Sequence, residues 1–111
     1  MTLQQNLEGN ALIASPVEKN LDASNVQAFR AAIVPQLEQH NRIVLDLSNV
    51  EFIDSAGVGT LISCLRIVTE RKGQLRLCGL NRAVRALFEL MRMNRLFEVH
   101  PDRQSALSSL S

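Results

Sequence analysis

Residues 43–59 read IVLDLSNVEFIDSAGVG, and this stretch decides the fold class of the chain. Ile43, Leu45 and Leu47 alternate with other residues, which predicts a β-strand with one fully apolar face. After Asp54, apolar side chains recur every three or four residues, as in a helix packed by one face. These positions are Val58, Leu61, Ile62, Leu65 and Val68. A strand that leads directly into a helix indicates an α/β domain.

Further strands are predicted on both sides of this unit. Residues 3–8 and 11–15 form two short strands in this interpretation, because Gly9-Asn10 between them favours a tight turn. Downstream, Leu75 and Leu77 mark another strand, and residues 96–99 suggest a last short one. Strands that alternate with helices are typical of a largely parallel sheet with right-handed crossovers.

The helix boundaries are predicted from capping and breaking residues. Ser24 and Gln27 stand at capping-box spacing, so we expect the first helix to begin there. Pro35 lacks an amide donor and predicts a kink or a break at Val34. The helix after Asp54 is expected to end near Gly73, a glycine at the usual C′ position. The last two helices are expected to be capped by Asn81 and Asp102.

Together these elements predict one α/β domain over residues 1–111, with its core at roughly residues 11–108. We expect a small mixed, largely parallel β-sheet of 4–5 strands packed with about four helices. Because the strands alternate in polarity and are not continuous apolar runs, one face of the sheet should be less completely covered.

The composition is that of an ordinary globular domain. The 111 residues are 46% hydrophobic and 21% charged, with a formal net charge of +1. Acidic residues predominate up to Asp54 and basic residues after it, so the small net charge hides an asymmetry. No apolar run is long enough to span a bilayer and the N-terminus shows no secretory signal, so we expect no membrane insertion and a cytoplasmic location.

The sequence offers no constellation for catalysis or metal binding. Cys64 and Cys78 stand without a C-x-x-C or a Cys/His cluster, which favours packing roles over a disulfide or a zinc site. His40 and His100 accompany no serine or cysteine motif, so no catalytic triad is expected. We therefore predict a protein that is not an enzyme and needs no metal or cofactor.

The turn from Asp54 to Gly59 is the most informative candidate site. The first amides of a helix lack intrahelical partners and carry partial positive charge, so Ser55 presents a hydroxyl where a phosphate would find donors. Gly57 and Gly59 remove side chains and permit close approach to the backbone. No G-K-[ST] follows, so this is not a Walker A loop. Spacing alone favours a simpler role, in which Asp54 or Ser55 caps the helix and the glycines allow packing.

Residues 43–59 resemble the central signature of STAS domains, specifically those of bacterial anti-sigma-factor antagonists. The similarity continues upstream at Leu21-Asp22-Ala23 and downstream at residues 73–80 and 84–90. Ala56 departs from the second serine that many members carry, and Val58 from the common leucine. Both changes are small and leave the Ser55 hydroxyl intact.

This resemblance implies a phosphorylation switch at Ser55. The expected partner is an anti-sigma factor that is also a serine kinase of the histidine-kinase-like ATPase type, and Asp22 would help to engage it. A metal-dependent serine phosphatase would reverse the modification. Unmodified protein would bind the anti-sigma factor and release a sigma factor; homodimer formation stays open. The expected partner-binding residues are Asp22, Asp54, Ser55, Ala56, Gly57, Val58 and Gly59.

Three alternatives to this switch at Ser55 have less support in the sequence. The same fold also serves as a regulatory or assembly subunit of lipid or anion transporters, but the serine after Asp54 favours the phosphoswitch. Thr60 is a weaker candidate acceptor, since such residues on a helix flank are usually structural or solvated. Direct nucleic-acid binding is not expected, because no helix-turn-helix stands out and Tyr and Trp are absent. The arginines considered for it are Arg82, Arg85, Arg92 and Arg95.

Overall fold

The computed structural model describes residues 1–111. The strands are β1 (Leu3–Glu8), β2 (Ala11–Pro16), β3 (Asn20–Leu21), β4 (Arg42–Asp46), β5 (Phe52–Ile53), β6 (Gln74–Cys78) and β7 (Glu98–His100). The helices are α1 (Val26–Gln39), α2 (Ser55–Glu70), α3 (Arg82–Leu90) and α4 (Arg103–Ser108), and a short 3-10 helix covers Met93–Arg95. None of the helices combines the length and the apolar character needed to cross a membrane.

Five of the strands form one sheet in the spatial order β1-β2-β4-β6-β7. Only β1 and β2 pair antiparallel; the other neighbours are parallel. The predicted mixed, largely parallel sheet packed with four helices is therefore confirmed. A separate ladder of two residues per strand joins β3 to β5 in parallel, with Leu21 opposite Ile53. This small ladder positions the candidate site.

The two faces of the main sheet are covered unequally, as the sequence predicts. Helices α1, α2 and α3 enclose a core of 21 buried residues on one face, where Phe29, Leu61 and Phe88 are 1% exposed or less. Helix α4 alone covers the other face, over a cluster of six buried residues that includes Ala106. The continuous burial of β2 and β4 follows from this double cover.

Helix α1 differs from its prediction at its start and at Pro35. It begins at Val26, and the Ser24 hydroxyl donates to the Asp22 carboxylate (2.5 Å) and does not cap the helix, so the predicted capping box is wrong. The helix also runs unbroken through Pro35. Ala31, whose carbonyl loses its helical donor, and Pro35 are both exposed, so solvent can hydrate that carbonyl and the expected break does not occur.

The end of α2 corrects a second prediction. Lys72, with φ +63°, is the left-handed residue after the helix, whereas Gly73 does not have a positive φ. Gly73 is required for another reason: a Cβ there would lie 2.7 Å from the Asn41 carbonyl oxygen. The glycine thus allows two segments of the backbone to pass close to each other where β6 begins beside β4. The predicted hairpin turn and the caps by Asn81 and Asp102 are confirmed.

Candidate functional site

The short parallel ladder of β3 and β5 brings two distant carboxylates to one edge. Because Leu21 pairs with Ile53, the residues that follow them, Asp22 and Asp54, leave the ladder side by side. The Asp54 amide donates to the Leu21 carbonyl (3.4 Å), which closes this end of the ladder. The structure therefore places the sequence-predicted Asp22 next to the start of α2.

Asp54 fixes the strand-to-helix turn through both carboxylate oxygens. Oδ1 accepts from the Gly57 amide (2.9 Å), which is the N-cap bond of α2. Oδ2 accepts from the Ala23 amide (3.1 Å) in the loop after β3. Asp54 is thus both a helix cap and a clamp between the two segments, and the capping role that spacing suggested belongs to Asp54 and not to Ser55.

Asp22 is held by a network of its own. Its Oδ1 accepts from the Ser24 amide (2.9 Å) and hydroxyl, and its Oδ2 accepts from the Asn20 side-chain amide (2.7 Å). The Asp22 amide in turn donates to Asn25 Oδ1 (2.9 Å). The Ser24 hydroxyl, followed by the Ser24 amide and Asn20, lowers the pKa of Asp22 below its ordinary value. Asp22 is therefore a fixed negative charge at neutral pH.

Ser55 is the first residue of α2 and its side chain is exposed. An α-helix leaves its first amides without intrahelical acceptors, so the Ser55 and Ala56 amides face outward beside this hydroxyl. Thr60, the weaker candidate, is only 7% exposed. Ser55 is accessible in the folded protein, whereas Thr60 is a buried residue.

The absence of a side chain has a different structural effect at each of the two glycines of the motif. A Cβ on Gly57 would be in hard contact with the Leu21 carbonyl oxygen and 2.8 Å from Ile53 Cγ2, so Gly57 lets α2 pack onto the β3–β5 ladder. A Cβ on Gly59 would meet nothing within 4 Å, and the residue is exposed. Gly59 lies one helical turn after Ser55, so it leaves the surface beside the hydroxyl bare.

The remaining motif residues divide into buried and accessible ones. Val58 is 1% exposed and packs in the main core, whereas Ala56 is partly exposed. Phe52, which sequence reasoning did not select, is 56% exposed only three positions before Ser55. Its exposure depends on tertiary packing, so the sequence alone carries no signal that identifies it.

The cysteines, His100 and the arginines of the basic C-terminal half lie outside this site. Cys64 and Cys78 are fully buried, and burial raises the pKa of the Cys64 thiol to about 11 and of the Cys78 thiol to about 12. His100 pairs with Glu98 (3.0 Å) at the end of β7. No group of three or more His, Cys, Asp or Glu side chains is placed to hold a metal ion. The basic residues considered for nucleic acid are all exposed: Arg82, Arg85, Arg92 and Arg95.

The chain is a mixed-sheet α/β domain with an exposed serine at a helix start, and its similarity to known proteins identifies its family. Residues 6–106 match the family model described as STAS domain, so the chain belongs to the STAS domain family. Its relatives include the Anti-sigma F factor antagonist of Paenibacillus polymyxa, which is 27% identical over 75 residues. That alignment covers 68% of this chain and 64% of the relative, so the chain spans less than two thirds of that protein's length.

Solved structures share the fold over almost the whole chain. An anti-sigma factor antagonist from Mycobacterium paratuberculosis superposes with a TM-score of 0.88 at 22% identity, covering 98% of this chain and 92% of that one. The Bacillus protein SpoIIAA superposes with TM-scores of 0.68 in its unphosphorylated form and 0.69 in its phosphorylated form, both at 19% identity. The coverage is 94% of this chain and 92% of that chain for the first form, and 96% and 97% for the second.

Proposed function

We propose that this chain is a cytoplasmic, non-catalytic anti-sigma-factor antagonist switched by phosphorylation of Ser55. Unmodified, it binds an anti-sigma factor that is also a serine kinase of the histidine-kinase-like ATPase type, and a sigma factor is thereby released. The observation that carries the proposal is the exposed Ser55 hydroxyl at the start of α2, beside the clamped carboxylates of Asp54 and Asp22.

Electrostatics explains how one phosphate ends the complex. Phosphorylation adds roughly −1.5 to −2 charges and three acceptor oxygens. At Ser55 this charge lies next to the Asp54 carboxylate, while the free amides of the helix start partly offset the repulsion. The switch therefore needs no large change of fold. A partner surface that covers a neutral hydroxyl would have to desolvate a dianion, so binding weakens steeply.

The surface around Ser55 suits a macromolecular partner. The absence of a side chain at Gly59 lets the partner backbone approach the hydroxyl, and the exposed Phe52, three positions before Ser55, offers an apolar contact. Ala56 is accessible and lies within the same surface. Gly57 and Val58 are buried, so in this proposal they position the surface and do not touch the partner.

The reverse step also fits this surface. A metal-dependent serine phosphatase would need access to a phosphoserine that protrudes into solvent, and the first residue of an exposed helix start provides it. The Asp22 network holds the neighbouring loop through several hydrogen bonds, and in this proposal kinase and phosphatase use the same surface.

The proposal is tested by incubating the purified protein with ATP and the anti-sigma serine kinase of its source bacterium. We expect one phosphate per chain, located at Ser55 by fragment mass spectrometry, and none on Ser55→Ala. Thr60→Ala should accept phosphate at the wild-type level, because Thr60 is only 7% exposed. A chain that stays unmodified and copurifies with a membrane transport ATPase would instead be a transporter subunit, which contradicts the proposal.

A further inference from the structure

The outer edge of the main sheet is formed by a strand with a neighbour on one side only. Strand β1 is the terminal strand and pairs only with β2, and residues 4–8 are all exposed. Glu8 and Ala11 flank the two-residue turn, where Gly9 has φ +63°. In a two-residue hairpin the flanking pair exchanges both backbone hydrogen bonds, and bonded pairs then alternate along the ladder.

This alternation fixes which backbone groups of β1 are free. The even-numbered residues of β1 therefore form backbone hydrogen bonds with β2. The hydrogen bond from the Val17 amide to the Thr2 carbonyl (3.3 Å), beyond the far end of β1, agrees with this, because Thr2 is also even-numbered. Pro16, which has no amide hydrogen, stands opposite Leu3 at a position that needs none. The amides and carbonyls of Leu3, Gln5 and Leu7 therefore point outward from the sheet without a strand partner.

The β1 edge also lacks the features that usually block pairing with another chain. Natural edge strands are protected by proline, lysine, a bulge or short length. The six residues LQQNLE contain neither proline nor lysine, and their six consecutive pairs with β2 show no bulge. The opposite edge, β7, has only three residues. Of the two edges, β1 is the one open to a further strand.

We propose that β1 pairs antiparallel with β1 of a second copy of this chain, about a twofold axis at Gln5. In this register Gln5 faces Gln5 of the second copy, and Leu3 faces Leu7. All three outward-pointing residues of each strand then form hydrogen-bonded pairs, each with two backbone hydrogen bonds. A shift by two residues in either direction would leave one of these positions without its counterpart.

The side chains agree with this register. Leu7, 60% exposed, lies opposite Leu12 and on the face of the main core, and the second copy places its Leu3 across from it. On the other face Gln4 meets Asn6, two amides that can pair. Glu8, the only charged residue of β1, faces Thr2 of the second copy, so no like charges oppose each other. The strand is thus complementary to itself.

The dimer is tested by analytical ultracentrifugation over a range of concentrations. Because residue 5 faces itself, Gln5→Lys and Gln5→Glu should each sediment as monomers, while an equal mixture of the two should form a heterodimer. Gln5 is exposed, so both variants should keep the wild-type circular dichroism spectrum. Gln5→Pro removes only an outward amide and should also abolish the dimer, whereas Gln5→Thr should retain it.

Two results would overturn the dimer, and a third would overturn its register. The first is a wild-type chain that stays monomeric up to about millimolar concentration, well above the range expected even for a small interface. The second is a dimer that persists in folded Gln5→Lys or Gln5→Pro, since its interface would then lie elsewhere. A mixture of the Lys and Glu variants that remains monomeric would contradict the register, because only self-facing at residue 5 predicts rescue.

Discussion

The Asp54 carboxylate accepts a hydrogen bond from the Ala23 amide at 3.1 Å, across 31 positions of sequence. Its other oxygen accepts from Gly57 and caps α2. One side chain therefore sets the distance between the Asp22 loop and the helix start that carries Ser55. Together with the β3–β5 ladder, this clamp holds the two segments of the candidate site side by side.

The clamp makes a prediction for Asp54 itself. Asp54→Ala removes the cap and the bond to Ala23 and should lower the free energy of unfolding by about 1–2 kcal/mol. Asp54→Asn keeps an oxygen for the Gly57 amide and should cost less. Urea denaturation of both variants measures the difference. Equal stability of Asp54→Ala and wild type would show that the clamp contributes nothing.

The two glycines of the motif should respond in opposite directions to the same substitution. Gly57→Ala forces a Cβ against the Leu21 carbonyl and should destabilise the fold by about 1–3 kcal/mol. Gly59→Ala meets open space inside a helix and should stabilise it by up to about 1 kcal/mol. Thermal unfolding of the pair is the measurement.

Binding to the anti-sigma kinase adds a second readout for the Gly59 variant. If Gly59 serves the partner surface, Gly59→Ala should bind more weakly although it is more stable. Unchanged binding together with increased stability would show that the bare surface beside Ser55 has no role in recognition.

Much of this fold could be predicted because its signals are local. The β1–β2 hairpin and the caps by Asn81 and Asp102 depend on residues within a few positions of each other. The start of α1 could not be predicted in this way. Ser24 has the chemistry of a cap, but its hydroxyl is taken by Asp22, and a local pattern does not show that competition.

The candidate site shows the same division. Ser55, Asp54 and Asp22 could be selected from the motif and the resemblance, but the Asp54 to Ala23 bond depends on a two-residue ladder too short to leave a sequence pattern. The different needs of Gly57 and Gly59 likewise depend on which of them faces Leu21. Those facts arise from tertiary contacts, which periodicity does not encode.

A partly buried ion pair on the face of the sheet that α4 covers predicts a pH effect. Arg103 Nε lies 2.5 Å from Asp46 Oδ2, and the Asp46 side chain is 8% exposed. Burial raises the pKa of Asp46, but bonds from Arg103 and Ser48 outweigh it and hold that pKa below its ordinary value. The ionised Asp46 therefore adds to the free energy of unfolding above pH about 4, and this contribution is lost as the pH falls through the lowered pKa.

Asp46→Asn should therefore lower stability by about 1–3 kcal/mol at pH 7 and flatten its decline below pH 4. Arg103→Ala tests the partner, and the double variant closes a cycle in which the two losses should not add. The free energy of unfolding between pH 7 and pH 3 is the measurement. An acid limb as steep in Asp46→Asn as in wild type would assign the pH dependence to other carboxylates.

The central claim concerns the affinity of the Ser55 surface before and after phosphorylation. The most direct measurement is calorimetric titration of the anti-sigma kinase with chains that carry serine or phosphoserine at position 55. A chain with phosphoserine at the exposed Ser108 of α4, on the other face of the sheet, is the matched control. The account predicts a loss of roughly 100-fold in affinity, about 2.7 kcal/mol, for phosphoserine 55 and little change for the control. Equal affinity of the serine and phosphoserine 55 chains would contradict it.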